Sequence, residues 1–144
     1  MAQPRRVLFL CVGNSVRSQM AEAIVNARYP GWQAFSAGVR PTGTVHPMAL
    51  KVLRELAIHH KGRSKSADEF RDLELDLIVT VCDEAREECP VWLGKGVRKH
   101  QSFRDPTERG GTEEQMRWAF REVRDQIVKA LPKLLDTGSA QTPR

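Results

Sequence analysis

The chain has 144 residues, 40% of them hydrophobic and 28% charged, with three cysteines and a formal net charge of +5. Its length suits one domain with a single core, and its ordinary composition excludes a low-complexity protein. No apolar run approaches transmembrane length and the basic residues are scattered, which favours a cytoplasmic protein over a membrane or nucleic-acid-binding one.

Predicted strands and helices alternate from the start of the chain. Residues 5–10 form a predicted strand covered on both faces, because the run from 7 to 10 is continuously apolar. Apolar residues at helical spacing then predict a helix over 18–28. A short strand is predicted over 33–37, ended by Gly38.

The middle of the chain continues this alternation. Pro47 suits the first turn of a second helix, which a polar loop over 59–66 follows. A short helix is predicted near 67–73. Residues 77–81 are the clearest strand in the sequence, and this strand places Cys82 at its carboxyl end.

The last third of the chain contains a weaker strand and a long helix. The strand is predicted over 97–103 and leads into Asp105. The helix is predicted over 113–135, and Pro132 is expected to kink it or end it early. Its predicted buried stripe consists of Met116, Phe120, Val123, Ile127, Leu131 and Leu134.

This alternation predicts an α/β fold with a four-stranded parallel sheet, strand order 2-1-3-4, and helices on both faces. In that order Cys11 and Cys82 end neighbouring strands, whose axes lie about 4.8 Å apart. The loop after the fourth strand brings Asp105 to the same edge. The predicted domain spans residues 1–136, and residues 137–144 are expected to be a disordered tail.

A candidate anion-binding loop follows the first strand. Backbone N–H groups between Cys11 and Arg17 can surround a tetrahedral oxyanion, and the following helix directs its positive end at the same point. Arg17 adds a planar fork of donors, and this positive field favours the nucleophilic thiolate of Cys11. Gly13 and Asn14 are the residues best able to adopt positive φ. The predicted oxyanion-binding residues are Val12, Gly13, Asn14, Ser15, Val16, Arg17 and Ser18.

Several segments resemble a known family. CVGNSVRSQMAEA at 11–23, SAG at 36–38 and Asp-Pro at 105–106 resemble the low-molecular-weight protein tyrosine phosphatase fold. TVCDEAREECP at 80–90 resembles one branch of it, the thioredoxin-coupled arsenate reductases. The resemblance covers residues 6 to about 135, nearly the whole chain.

The resemblance implies a role for each cysteine in arsenic detoxification. Cys11 would attack arsenate, Cys82 would attack the resulting thiol–arsenic adduct, and Cys89 would resolve the disulfide. Thioredoxin would then reduce the Cys82–Cys89 disulfide, so that no cofactor is required. Two electrons from a pair of thiols match the reduction of arsenate to arsenite. A monomer is expected.

The resemblance also implies roles for three other residues. Arg17 would bind the oxyanion, Asp105 would be the general acid and base, and Ser18 would hydrogen-bond the Cys11 thiolate. Position 16 is Val where the family often has another cysteine. That cysteine is not one of the redox thiols, so the implied mechanism is unaffected.

Some members of the family bind a potassium ion beside the anion loop. Asn14, Glu22 and Ser36 could supply oxygen ligands here, but Lys65 stands where an acid would be expected. No metal site is expected, because the cysteines form no C-x-x-C pair and the histidines lack ligand spacing.

The segment between Cys82 and Cys89 poses a geometric problem for a disulfide. Seven residues of helix rise about 10.5 Å, whereas a disulfide needs Cα atoms about 4.4–6.8 Å apart. We therefore expect residues 83–88 to unwind on oxidation. The segment is almost wholly polar, so unwinding exposes little apolar surface.

Two other functions compete with this interpretation. A tyrosine phosphatase would use Cys11, Arg17 and Asp105 and need no second thiol, but Thr107 stands where phosphatases commonly have an aromatic residue. A non-catalytic module that binds oxyanions or nucleic acid through the same loop is the second alternative. The sequence shows no array of aromatic and basic residues to support it.

Overall fold

The sheet has four parallel strands, which are Arg5–Cys11 (β1), Trp32–Gly38 (β2), Leu77–Thr80 (β3) and Val97–His100 (β4). Their order is β2-β1-β3-β4, which confirms the predicted order 2-1-3-4. Each neighbouring pair is parallel, so all four carboxyl ends lie at one edge of the sheet.

The structure is a computed structural model that describes residues 3–89, 96–108 and 110–136. The predicted tail at 137–144 lies outside these ranges. None of the helices within them combines the length and hydropathy needed to cross a membrane.

Four α-helices accompany the sheet, namely Arg17–Arg28 (α1), Pro47–Arg54 (α2), Asp83–Glu88 (α3) and Glu113–Leu134 (α4). A 3-10 helix at Ala67–Phe70 takes the place of the short helix predicted near 67–73. Helices α1, α2 and α4 pack against one another, and α3 packs on β1 and β3.

The hydrophobic core lies between the sheet and these helices. Residues 7–10 of β1 are 0% exposed, so both faces of this central strand are covered, as the continuous apolar run predicts. Phe120, Ile127 and Leu131 of α4 are also 0% exposed. Burial of this stripe places α4 over α1 and α2.

Two predicted boundaries differ from the structure. β4 ends at His100 rather than at 103, although the N–H groups of Gln101 and Phe103 still donate to the carbonyls of Thr80 and Val81 at 2.9 and 3.0 Å. α4 continues past Pro132 to Leu134, so the proline does not end the helix early. The helix lacks one backbone donor at Pro132, but Leu135 still donates to the carbonyl of Leu131 at 2.8 Å.

Candidate active site

Cys11 is the last residue of β1 and lies at the carboxyl edge of the sheet. The N–H groups of Val39, Arg40 and Thr42 donate to the carbonyl oxygens of Cys11, Val12 and Gly13, respectively, at 2.9–3.1 Å. Across a trans peptide the N–H points opposite to the C=O, so the amides that follow these carbonyls face the other way. The amide of Asn14 does so, since it donates to Cys11 Sγ at 3.3 Å.

The sulfur of Cys11 has a second partner in Ser18, whose Oγ lies 2.8 Å away. Asn14 Nδ2 donates to the same oxygen at 2.8 Å. The Ser18 hydroxyl oxygen therefore accepts from Asn14, and the hydroxyl proton remains free to be donated to the Cys11 sulfur. Two donors at one buried sulfur suit a thiolate nucleophile.

Asn14 adopts the left-handed conformation in this loop, with φ of 51°. Of the two residues best able to adopt this conformation, only Asn14 does so, since Gly13 is not among the residues with positive φ. A side chain at Gly13 would instead meet Thr42 Cγ2 at 3.0 Å. The space at Gly38 is smaller still, because a Cβ added there would lie 2.5 Å from the carbonyl oxygen of Val12.

Arg17 is the first residue of α1, and 15% of its side chain is exposed. Its Nη1 donates to the carbonyl oxygen of Phe103 at 3.1 Å, and its Nη2 lies 4.0 Å from Asp105 Oδ2. The loop after β4 therefore brings Asp105 opposite the guanidinium. The other carboxylate oxygen, Oδ1, accepts from the N–H and hydroxyl of Thr107, at 2.9 and 2.7 Å.

Cys82 follows β3 and caps the N-terminus of α3 in an extended conformation. Its side chain lies beside Val12 and Cys11, as the predicted neighbouring strands require. Burial raises the pKa of the Cys82 thiol, while a hydrogen bond from the N–H of Ala85, the charge of Arg17 and a hydrogen bond from the N–H of Val12 act against this. A second thiol therefore lies next to the anion loop.

Cys89 lies at the opposite end of α3 from Cys82, half-buried. Arg98 Nη1 donates to its sulfur at 2.8 Å. The preceding residue, Glu88, forms an ion pair with Arg40. All three thiols are free, and the intact helix α3 separates Cys82 from Cys89.

His46 contributes to the site although sequence reasoning considered it only as a metal ligand. Its N–H donates to the carbonyl of Ser15 at 3.0 Å, and its ring contacts Phe120 with centroids 4.8 Å apart. Nδ1 accepts from the N–H of Met48 at 3.1 Å, so His46 caps α2. Burial lowers the pKa of His46, and the Asp105 carboxylate acts against this. Its position before Pro47 was the available signal for this capping role.

Lys65 contacts two of the three residues suggested as potassium ligands, Glu22 and Ser36, through its ammonium. Its Nζ donates to the carbonyl oxygen of Arg63 at 2.9 Å and to Ser36 Oγ at 3.4 Å, and it lies 3.7 Å from Glu22 Oε1. Ser36 also donates to Glu22. An ammonium already fills the space among these oxygens, so they do not fit a potassium ion.

The arrangement combines a sulfur nucleophile, a cation for an oxyanion, a carboxylate and an adjacent second thiol. Cys11, Arg17, Asp105 and Cys82 come from four different elements or loops that meet at one edge of the sheet. Such a set can form a covalent bond between a sulfur and an oxyanion centre, with a second sulfur nucleophile beside the adduct.

Comparison with known proteins gives a consistent result. The model of the family described as low molecular weight phosphotyrosine protein phosphatase matches residues 6–142. An arsenate reductase of Halalkalibacterium halodurans is 40% identical over 136 residues, covering 92% of this chain and 96% of that protein.

Two solved structures extend the comparison to the fold. An arsenate reductase from Archaeoglobus fulgidus superposes with a TM-score of 0.69 at 32% identity, covering 88% of this chain and 98% of the other. A low molecular weight protein tyrosine phosphatase from T. tengcongensis gives 0.67 at 29% identity, covering 90% and 99%. The same fold is thus found in relatives named for two different activities.

Proposed function

This chain belongs to the low molecular weight phosphotyrosine protein phosphatase family, and we propose that within it the chain reduces arsenate to arsenite. Two relatives support this choice by name, the arsenate reductases of H. halodurans and A. fulgidus. The proposed mechanism passes electrons through three thiols in turn.

One observation carries the proposal, which is the position of Cys82 beside the anion loop. Reduction of As(V) to As(III) needs two electrons, and two thiols supply them when they form a disulfide. A phosphatase mechanism needs only Cys11. The N–H of Val81 donates to the carbonyl oxygen of Leu10 at 2.9 Å, so the residue that follows it, Cys82, lies beside the start of the anion loop.

In the proposed first step, the loop amides and Arg17 hold arsenate. The thiolate of Cys11 attacks arsenic, a sulfur–arsenic bond forms, and one oxygen leaves as water after protonation by Asp105. The distance of 4.0 Å between Arg17 and Asp105 leaves both groups facing the same space. The protonated carboxyl group of Asp105 acts here as the general acid and becomes a carboxylate.

In the second step, the thiolate of Cys82 attacks the sulfur of Cys11. The sulfur–arsenic bond breaks, its electron pair stays on arsenic, and arsenite leaves. The product is a disulfide between Cys11 and Cys82. Cys89 then attacks Cys82, which releases the Cys11 thiolate and leaves a Cys82–Cys89 disulfide.

The attack of Cys89 on Cys82 is the third step. It requires α3 to unwind, because the helix holds Cys82 and Cys89 at its two ends. Of the six residues of α3, Ala85 is buried and the others are exposed, so unwinding exposes little apolar surface. The disulfide would become accessible to thioredoxin, whose dithiol reduces it by exchange.

A coupled assay with three variants tests the proposal. Arsenate, thioredoxin, thioredoxin reductase and NADPH are supplied, and NADPH oxidation and arsenite are measured. Serine at any of the three cysteines should abolish multiple turnover. Cys89→Ser should still release about one arsenite per chain, since only the first two thiols act before release. Cys11→Ser and Cys82→Ser should release none, and release by Cys82→Ser would contradict the mechanism.

Phosphatase activity is the second candidate, favoured by the family match and by the shared Cys11, Arg17 and Asp105. Arsenate and phosphate are nearly isosteric, so the same loop would bind both. Brisk hydrolysis of an aryl phosphate that depends on Cys11 alone, with no arsenite formed, would establish this candidate instead. Thr107 bonds to Asp105 where an aromatic residue would flank the substrate of a phosphatase.

A further inference from the structure

A short polar segment at residues 63–66, here called the backing segment, lies behind the anion loop. Ser64 Oγ donates to the carbonyl oxygen of Gly13 at 2.9 Å. The backbone N–H of Lys65 donates to Asn14 Oδ1 at 2.9 Å. The segment therefore contacts the loop at two consecutive residues, Gly13 and the left-handed Asn14.

The backing segment has no apolar side chain to anchor it, since its sequence is Arg-Ser-Lys-Ser. The N–H of Gly38 donates to the carbonyl of Lys65 at 2.8 Å, which attaches its backbone to β2. The Lys65 side chain, 10% exposed, reaches Glu22 on α1 and Ser36 on β2. The ammonium thus adds side-chain contacts with α1 and β2 to the backbone bond of Gly38 and to the bond from Gln19 Nε2 to the carbonyl oxygen of Arg63 at 2.9 Å.

Asn14 connects the backing segment to the nucleophile. Its Oδ1 accepts from the backbone N–H of Lys65 and from Gln19 Nε2, the latter at 3.0 Å. The same residue donates from its backbone to Cys11 and from its side chain to Ser18. A shift of the backing segment would move Asn14, and with it two hydrogen bonds around the sulfur.

We propose that the Lys65 ammonium is a resident monovalent cation that fixes the backing segment, and through Asn14 preorganises the anion loop without a bound metal ion. Lys65 is a positioning residue, because its ammonium contacts Arg63, Ser36 and Glu22. This inference deepens the proposed function and rests on the anion loop being its substrate site.

The chemistry of the site suits an ammonium. Lysine carries one positive charge and three donors, which match the carbonyl of Arg63, the hydroxyl of Ser36 and the carboxylate of Glu22. Burial lowers the pKa of Lys65, and the Glu22 carboxylate acts against this. Because the charge is covalently attached, its occupancy does not depend on the concentration of any ion.

Binding of inorganic phosphate, measured by calorimetry on the full chain, tests the inference without any redox step. The unsubstituted protein should bind phosphate equally well in potassium chloride and in choline chloride. Lys65→Ala should bind about tenfold more weakly or worse in choline chloride, since small displacements of a preorganised site have effects of that order. Potassium or ammonium ions should restore part of the affinity by entering the vacated space. Lys61→Ala, at an exposed lysine four residues earlier, should behave as the unsubstituted protein.

Three results would overturn the inference alone. These are tighter phosphate binding by the unsubstituted protein in potassium chloride, normal binding by Lys65→Ala, and weak binding by Lys65→Ala that no small cation improves. Should Lys65→Ala fail to fold, Lys65→Arg must bind phosphate more tightly than Lys65→Gln, and equal affinities would overturn it. Failure of the unsubstituted protein to bind phosphate at all would overturn the proposed site as well.

Discussion

Ser18 Oγ lies 2.8 Å from Cys11 Sγ while it accepts a hydrogen bond from Asn14. A hydrogen bond to a charged group contributes about 1.5–3 kcal/mol, so Ser18→Ala should slow the attack of Cys11 roughly 10- to 100-fold. The rate at which iodoacetamide alkylates Cys11, in a protein with serine at Cys82 and Cys89, measures this nucleophilicity. Ser102→Ala, at an exposed serine, is the control and should leave the rate unchanged.

Arg98 should accelerate the resolving thiol, because its guanidinium donates to Cys89 Sγ at 2.8 Å. Exposed ionic contacts contribute up to about 1 kcal/mol, so Arg98→Gln should slow alkylation of Cys89 by iodoacetamide about twofold to fivefold. The measurement uses a protein with serine at Cys11 and Cys82. Arg98→Lys keeps a positive charge, so its alkylation rate should lie between those of the Arg98 protein and Arg98→Gln. An unchanged rate in Arg98→Gln would show that the contact does not activate the sulfur.

Gly38→Ala should destabilise the protein by about 1–3 kcal/mol, the usual effect of overpacking a close-packed site. Its new Cβ would lie 2.5 Å from the carbonyl oxygen of Val12, so the anion loop must shift. Urea unfolding measures the free energy, and phosphate binding should weaken in parallel. Gly31→Ala is the matched control, since a Cβ there meets nothing within 4 Å. Equal stability of the two variants would refute the argument.

Arsenite release should become faster as pH rises. Burial raises the pKa of Cys82 above its ordinary value of 9.0, so the thiolate is the minor form near neutral pH. A thiolate fraction grows roughly tenfold per pH unit below the pKa of its thiol. The rate of arsenite release from the preformed Cys11–arsenic adduct, followed in Cys89→Ser between pH 6.5 and 8.5, should follow this slope. A rate independent of pH would mean that attack by Cys82 does not limit release.

Hydrogen exchange should distinguish the reduced chain from the oxidised one in α3. In the reduced protein the helix is expected to protect the amides of residues 86–88, the first of which donates to the carbonyl of Cys82, and in the Cys82–Cys89 disulfide they should exchange as in an open loop. Exchange in β1 should stay slow in both states. Cys89→Ser cannot form this disulfide and serves as the control. Equal protection of α3 in both states would exclude unwinding.

The fold was largely predictable because its signals are local. The continuous apolar run of residues 7–10 marks a covered central strand, and the parallel order follows from the alternation of elements. Boundaries were less predictable where tertiary contacts decide them. At Pro132 the helix continues because Leu131 and Leu134 are buried in the core, a packing contribution that the local proline rule does not include.

The residues around the anion loop were only partly predictable for the same reason. Conformational preference identified Asn14 as a turn residue, but Gly13 is small because of Thr42, which is distant in sequence. The contacts of Lys65 with Glu22 and Ser36 join three separate elements and leave no spacing pattern in the chain.

Helix α3 has Cys82 and Cys89 at its two ends and anchors to the core through the small side chain of Ala85. The peptide between the two cysteines can therefore be exchanged for another of equal length while the sheet keeps its packing. Replacement sequences of higher or lower helical propensity would change how readily the Cys82–Cys89 disulfide forms. They would leave oxyanion binding by the anion loop unchanged. The chain thus separates, along its own length, the part that can be tuned from the part that must be preserved.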